Sequence, residues 1–90
     1  MGEVVDNAER RRFELTEQGL TAFADYRREG QVVVIPHVEA PPALRGTGTA
    51  GRLMEGLLHR IRAEGLRVLP LCGYASAYIR RNKQHQDLLA

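Results

Sequence analysis

The glycine-rich run from Arg45 to Gly51 is the part of the sequence whose residue types and spacing most directly indicate chemistry. It reads Arg45-Gly46-Thr47-Gly48-Thr49-Ala50-Gly51. Glycines allow a backbone to approach a ligand closely, and the free N–H groups at the start of a helix attract anions. Two threonine hydroxyls and the guanidinium of Arg45 would add further donors. The run therefore predicts an anion site, well suited to a pyrophosphate, at the beginning of a helix.

A tight turn is the simplest alternative for a Gly-x-Gly sequence. The neighbours of the run favour an anion site, because a buried strand is predicted before it and an amphipathic helix after it. Gly46, Gly48 and Gly51 also match the spacing G-x-G-x-x-G, but the chain lacks the repeated strand-helix-strand units of a dinucleotide-binding fold. The sequence contains no Walker lysine motif either.

Length and composition predict one globular domain over residues 1–90, with residues 1–9 flexible. Charged residues make up 27% of the chain and the net charge is +2, which argues against disorder and mildly favours an anionic ligand. No apolar run approaches the roughly 18 residues of a membrane-spanning helix, so no membrane partner is predicted. The single cysteine, Cys72, excludes an internal disulfide and is consistent with a cytoplasmic protein. The three histidines match no zinc spacing, and no metal site is predicted.

Apolar periodicity predicts the elements that must position the glycine-rich run. Strands are expected at residues 11–15, 20–26, 32–39 and 66–71. A first helix is predicted with Thr47 or Thr49 as its N-cap and Gly65 just after its end. A second helix is predicted from Gly73 to Arg81, and the C-terminal leucines are expected to dock on the core. The apolar stripe of the first helix consists of Leu53, Met54, Leu57, Leu58 and Ile61.

The connections between these elements predict the fold. Turns at residues 17–19 and 28–31, the second with a positive φ at Gly30, indicate antiparallel neighbours. The helix between strands 32–39 and 66–71 indicates that this pair is parallel. Pro36 cannot donate to a strand ladder, so we expect it at a bulge or where strands diverge. The predicted fold class is α/β (α+β), a mixed sheet in the order β-β-β-α-β-α.

The run fits the signature Q/R-x-x-G-x-G/A at Arg45, Gly48 and Ala50, and by it the chain resembles the GNAT superfamily of N-acetyltransferases. More narrowly, the stretches 37–44, 69–72 and 78–81 resemble a subfamily of short stand-alone GNAT-like acetyltransferases. The resemblance covers residues 13–89. The chain departs from it at Val38, where the subfamily usually has threonine, and within residues 81–85, where it often reads Arg-His-Pro-Glu-Tyr.

The resemblance implies that acetyl-CoA is the cofactor and that CoA lies where strands 32–39 and 66–71 splay apart. It implies main-chain pairing of the pantetheine arm around Glu39 and Ala40 and a pyrophosphate on the loop Arg45–Ala50. Arg81 and its basic neighbours are either solvated or meet the 3′-phosphate. The predicted cofactor-binding residues are Glu39, Ala40, Arg45, Gly46, Thr47, Gly48, Thr49, Ala50, Cys72, Tyr78 and Arg81.

Acyl transfer to an amine needs a base for the amine and a proton for the leaving thiolate. His37 and Glu39 are the candidate bases, directly or through water, because alternate residues of a strand lie on one face. The alternatives are a structural hydrogen bond for His37 and a surface carboxylate for Glu39. The resemblance implies Tyr78 as the acid beside the cofactor sulfur, with core packing as the alternative; Tyr74 is expected to face elsewhere. It also places Cys72 near the CoA thiol, either as an acyl-cysteine relay or as a buried spectator, at a helix start that can lower a thiol pKa.

Three functions remain open at this point. The first is acetyl-CoA-dependent transfer of an acetyl group to a primary amine whose identity the sequence does not reveal. The second is a CoA-binding module without catalysis. The third, nucleic-acid binding through the basic patches at residues 10–12 and 80–81, is disfavoured by five aromatic residues without a stacking motif. A monomer and a homodimer are both compatible with the chain.

Overall fold

The computed structural model describes residues 3–90, which form a five-stranded mixed sheet with two helices. The strands lie in the order β1-β2-β3-β4-β5. The parallel pair β4–β5 is joined through the first helix, and the other neighbours are antiparallel. The strands are β1 Val5–Asn7, β2 Arg12–Glu17, β3 Leu20–Glu29, β4 Val32–Glu39 and β5 Arg67–Pro70, and the helices are α1 Thr49–Ala63 and α2 Gly73–Arg81.

The predicted β-β-β-α-β-α order is confirmed, with one strand added at the sheet edge. The strand β1 pairs with β2 in the register Val5↔Glu14. The sequence predicts a flexible segment at residues 1–9 and no strand there. The strand β1 was missed because its three residues, two of them polar, show no alternation that would mark a strand. Met1 and Gly2 of that segment lie outside the described residues.

Two short hairpins set the register of the antiparallel strands. Between β2 and β3, Gln18 and Gly19 have φ values of 54° and 75°. A two-residue loop with both residues left-handed has the geometry whose twist matches paired strands. The predicted turn at Gly30 is confirmed, with a φ of 61°. The register Leu15↔Ala22 that follows puts the apolar sides of β2 and β3 on one face.

The strand β4 contains a bulge at Pro36, as its missing N–H predicts. His37 is opposite Asp25 and Val34 is opposite Arg27, so that two residues of β4 face a single residue of β3. The parallel pairing with β5 ends at Ile35↔Pro70, whereas β4 continues to Glu39 beside β3 alone. The two parallel strands therefore part in the last four residues of β4.

The apolar stripe of α1 is fully buried against the sheet, and each of its five side chains is at most 1% exposed. Burying a leucine or isoleucine side chain stabilises a fold by about 1.5–3 kcal/mol. After α1, the N–H groups of Gly65 and Leu66 donate to the carbonyls of Arg62 and Ile61. This is a Schellman end, with Gly65 at the predicted C′ position and a φ of 69°.

The start of α1 differs from the prediction. Its N-cap is Gly48, in the left-handed region at φ 86°, and no side chain caps the helix. Thr49 is the first helical residue, so the predicted threonine cap is wrong. At the other end of the chain, Leu88 is buried and Leu89 forms an isolated parallel bridge with Val68, which confirms that the tail returns to the core. No helix within residues 3–90 is long and apolar enough to cross a membrane.

Candidate active site

The glycine-rich loop forms the connection between a single 3-10 turn, Pro42–Leu44, and the first turn of α1. The turn is anchored by Leu44, which is buried and whose N–H donates to the carbonyl of Pro41 at 2.9 Å. Gly46 and Gly48 are both left-handed, with φ values of 79° and 86°. Other residues rarely adopt this conformation, so the glycines bring the chain into the start of α1 along a path that few other sequences allow.

Several backbone N–H groups of this loop have no partner in the protein. The N–H groups of Arg45, Thr47 and Arg52 donate to the carbonyls of Pro42, Leu44 and Gly48. For five others, no acceptor within residues 3–90 completes a hydrogen bond. These are the N–H groups of Gly46, Gly48, Thr49, Ala50 and Gly51. Together with the positive end of the α1 dipole, they make the donor set that an anion requires.

A cleft of about 240 Å³ opens beside these N–H groups. It lies between the end of β4, the loop and the first turn of α2. Gly51 lies close to both tyrosines of α2, because a Cβ there would be in van der Waals contact with the hydroxyl of Tyr74, at 3.9 Å, and with the ring of Tyr78, at 3.7 Å. The lining consists of Ala40, Leu44, Arg45, Gly46, Gly48, Thr49, Ala50, Gly51 and Tyr74.

The two threonine hydroxyls of the loop are not free donors, which corrects the sequence prediction. Thr49 is 1% exposed, and its hydroxyl lies 2.6 Å from a carboxylate oxygen of Glu17. The hydroxyl of Thr47 donates to the carbonyl of Leu44 at 2.5 Å, and the two hydroxyls lie 2.8 Å apart. Since the N–H of Thr47 is also used, this residue has no donor left for a ligand.

Glu17 and Arg52 belong to the same site, although no pattern in the sequence gives them a role. Arg52 binds Glu17 with two nitrogens, Nε to Oε2 at 2.8 Å and Nη2 to Oε1 at 2.7 Å. Its Nη2 also donates to the carbonyl of Thr47 at 3.0 Å. The hydrogen bonds from Arg52, and then that from Thr49, lower the pKa of Glu17 to about 2. The two residues are 35 positions apart, so no local motif could reveal the pair.

His37 and Glu39 lie together on the last part of β4, as their spacing predicts. The Nε2 of His37 is 2.9 Å from the Oε1 of Glu39, and their side chains are 51% and 54% exposed. Glu39 is opposite Phe23 in the register, on the sheet face turned away from the apolar core. The pair stands where β4 has lost its partner β5, next to the cleft-lining Ala40.

Comparison with known families identifies the chain. A family model described as GCN5-related N-acetyl-transferase matches residues 12–88. The chain belongs to the GCN5-related N-acetyltransferase family. Its resemblance to the short GNAT-like acetyltransferases is thereby confirmed, and the protein is an acetyltransferase of this kind.

One solved structure with a similar fold is the NMR structure of a GCN5-like candidate N-acetyltransferase from Staphylococcus aureus. It is 18% identical, the match covers 98% of this chain and 87% of that chain, and the TM-score is 0.70. At this identity the likeness concerns the fold, and it confirms the GNAT-like mixed sheet. A comparison with curated proteins found no match.

In this GCN5-related acetyltransferase, the hydroxyl of Tyr78 donates to Glu55 instead of facing the cleft. Burial, followed by that hydrogen bond, raises the pKa of Tyr78 well above its usual range. The Nε2 of His85, a side chain 4% exposed, lies 3.0 Å from both carboxylate oxygens of Glu55. Tyr78 is therefore part of a cluster behind the cleft, which agrees with the alternative that it packs in the core.

Tyr74 is the tyrosine of α2 that lines the cleft. The expectation that it faces elsewhere is wrong, because residues four apart on a helix lie on one face and the rings of Tyr74 and Tyr78 have centroids 6.4 Å apart. Burial raises the pKa of Tyr74, so its hydroxyl is protonated at neutral pH. The missed signal is the i, i+4 spacing itself.

Cys72 and Arg81 bracket α2 in this acetyltransferase. Cys72 is the N-cap residue, half-buried, and its N–H donates to the carbonyl of Ile35 at 3.2 Å, where β4 and β5 part. Arg81 is exposed at the last turn, about 10 Å along the helix axis from Tyr74. The structure thus brings Cys72 to the point of strand divergence and leaves Arg81 at the far end of α2.

Proposed function

We propose that this acetyltransferase moves an acetyl group from acetyl-CoA to a primary amine of a small molecule or a protein, with the CoA pyrophosphate on the loop Arg45–Ala50. The observation that carries the proposal is the set of five unpartnered N–H groups at the loop and the start of α1. Several such donors acting together can hold a phosphate group. Arg45 adds a positive charge at the rim of the same cleft.

The remaining residues of the site fit an extended CoA molecule. Past Ile35, β4 is paired only with β3, so main-chain groups on its other edge, up to Ala40, are free to pair with a pantetheine arm. The cleft joins this edge to the loop, since Ala40 and Arg45 both line it. We assign Gly46, Gly48, Thr49 and Ala50 to the pyrophosphate through their N–H groups. The hydroxyl and the N–H of Thr47 are used within the protein, so we assign it no contact with the cofactor. Arg81, exposed at the end of α2, stays a candidate for the 3′-phosphate.

Bound acetyl-CoA supplies an activated thioester. We assign the base to His37. Its Nε2–H would donate to Glu39, which leaves Nδ1 to take the proton of the acceptor ammonium, and Glu39 would stabilise the imidazolium that forms. The Oη of Tyr74 is the protonated hydroxyl that lines the cleft, and we assign it the role of acid. Cys72 stays a spectator in this scheme, at the N-cap of α2 with its side chain packed against the core.

Isothermal titration of CoA and acetyl-CoA tests the cofactor assignment. We expect micromolar binding to the wild type and at least a tenfold weaker affinity after Arg45→Ala combined with Gly48→Asp, because the double variant removes a cation and places a carboxylate among the donors. Arg10→Ala is the control for the loss of one positive charge, since it removes that charge from the turn between β1 and β2. Circular dichroism checks that the double variant folds, because Gly48 has a φ of 86° and a Cβ there would lie 2.9 Å from Nη1 of Arg52. Wild-type protein that binds neither compound would contradict the proposal.

A CoA-binding module without catalysis is the second candidate. It is favoured by one observation, the commitment of the Tyr78 hydroxyl to Glu55. Release of the CoA thiol in the presence of a panel of primary amines separates the two candidates, because a module would bind acetyl-CoA and release none.

We further infer a cytoplasmic location, since a chain with one free cysteine is typical of a reducing compartment.

A further inference from the structure

The carboxylate of Glu17 is held by more groups than an ordinary surface ion pair provides. It ends β2, in the hairpin before β3, and its side chain is 12% exposed. Its Oε1 is 2.6 Å from the hydroxyl of Thr49 and 2.7 Å from Nη2 of Arg52, and its Oε2 is 2.8 Å from Nε of Arg52. A carboxylate with a bidentate arginine and a third hydrogen bond has a well-defined position.

The partners of Glu17, Arg52 and Thr49, connect it to the glycine-rich loop. Arg52 also donates to the carbonyl of Thr47 at 3.0 Å, and the hydroxyl of Thr47 continues the chain of contacts to the carbonyl of Leu44. Thr47 does not line the cleft, whereas its neighbours Gly46 and Gly48 do. The network therefore holds the loop through Thr47 and Thr49, while five N–H groups of the loop and of the start of α1 stay free for a ligand.

Arg52 is engaged by this network and differs in that respect from Arg45. Within residues 3–90, the side chain of Arg45 makes no hydrogen bond, while Nε and Nη2 of Arg52 are both used by Glu17. Arg45 is therefore the cation available to a phosphate, and Arg52 is the link between the hairpin and the loop.

We infer that Glu17 is a positioning residue of the cofactor site, an inference that rests on the proposed function. It holds the loop in its ligand-ready conformation, so that little ordering of the loop is needed when CoA binds. A preorganised site binds more tightly because the entropy of ordering is not lost at the moment of binding. The hairpin between β2 and β3 thus belongs to the cofactor site without contacting the cofactor.

The variants Glu17→Gln and Glu14→Gln form a matched pair for the test. Glu14 lies on the same strand, is 17% exposed, and is bound by Nε of Arg12 at 2.5 Å, but its partners lie in β1 and β2 and do not touch the loop. Both variants lose a charged hydrogen bond to an arginine. We expect both to lower thermal stability, whereas the Kd for CoA rises at least tenfold in E17Q and less than twofold in E14Q.

Amide order parameters from NMR give a readout that does not depend on CoA. We expect lower values for residues 46–51 in ligand-free E17Q than in wild type and E14Q. If E17Q does not fold, Thr49→Val removes one hydrogen bond of the network with little change in shape, and a smaller rise in Kd is expected.

The outcomes separate the two proposals. Wild-type binding of CoA together with an unchanged Kd and unchanged loop order in E17Q would overturn the role of Glu17 alone. A wild type that does not bind CoA would overturn the proposed function and the cofactor role of Glu17 with it. Equal increases of the Kd for CoA in E17Q and E14Q would indicate that the weaker binding comes from general destabilisation of the fold. That result would also overturn the inference.

Discussion

At the scale of single residues, hydrogen-bond partners decide which side chains the site can use. Tyr74 and Tyr78 lie on one face of α2, and the sequence does not distinguish between them. The structure does, because Tyr78 donates to Glu55 and Tyr74 lines the cleft. In the same way, the hydroxyls of Thr47 and Thr49 are not available to a ligand, because they donate to the carbonyl of Leu44 and to Glu17.

Replacing each tyrosine by phenylalanine tests the assignment of the acid. With Tyr74→Phe we expect kcat to fall by at least about 100-fold at saturating acetyl-CoA, the size of effect that a general acid contributes. With Tyr78→Phe we expect a smaller loss of rate and a free energy of unfolding lower by about 1–2 kcal/mol, since Glu55 loses a hydrogen bond. Steady-state kinetics and urea denaturation measure both. A large loss of rate in Y78F with a normal Y74F would reverse the assignment.

At the scale of elements, the two ends of α1 differ in whether their backbone groups find partners within the protein. Its C-terminus is closed by a Schellman motif at Gly65, and its N-terminus is left open by Gly48, whose lack of a capping side chain leaves the N–H groups free for a ligand. Helix periodicity predicted the body of α1 correctly. It could not predict the uncapped start, because both threonines look like caps until their actual partners are known.

The closure at Gly65 should contribute to stability through backbone conformation alone. A Cβ at Gly65 meets no atom within 4 Å, but the φ of 69° disfavours any other residue. We expect Gly65→Ala to lower the free energy of unfolding by about 1–2 kcal/mol. Gly73→Ala is the control, because a Cβ at that helical position also meets no atom within 4 Å, its φ is not left-handed, and the change should be neutral or slightly stabilising. Equal urea midpoints for the two variants would contradict this account.

At the scale of the whole molecule, long-range ion pairs tie the sheet, the loop and the tail to α1. Glu17 of the first hairpin binds Arg52 near the start of α1, and Asp87 of the tail binds Arg62 near its end at 2.7 Å. Such pairs join segments 25 to 35 residues apart. They connect the hairpin between β2 and β3 and the C-terminal segment to α1.

These two pairs, together with the local pair of Glu14 and Arg12, predict a loss of stability in acid. The hydrogen bonds from Arg52, Arg12 and Arg62 lower the pKa values of Glu17, Glu14 and Asp87 below their usual range. A carboxylate whose pKa is lower in the folded state stabilises the fold above its unfolded pKa, and that contribution is lost as the pH falls through the folded value. We therefore expect the Tm to decline from about pH 4.5 towards pH 2. In E17Q the decline should be shallower, and an identical pH profile would contradict the assignment of Glu17.

The sequence by itself determined most of the elements and the location of the glycine-rich loop, because both are encoded in local patterns. Apolar spacing of two and of 3.6 residues marks strands and helices, glycines mark left-handed turns, and the proline of β4 marks its bulge. The tertiary structure alone decided which groups face the cleft. The partners of Thr49, Tyr78 and Arg52 come from segments 23 to 35 residues away, and only packing brings them within hydrogen-bonding distance. The edge strand β1 was decided in the same way, since pairing with β2 makes a strand of three residues that carry no pattern of their own.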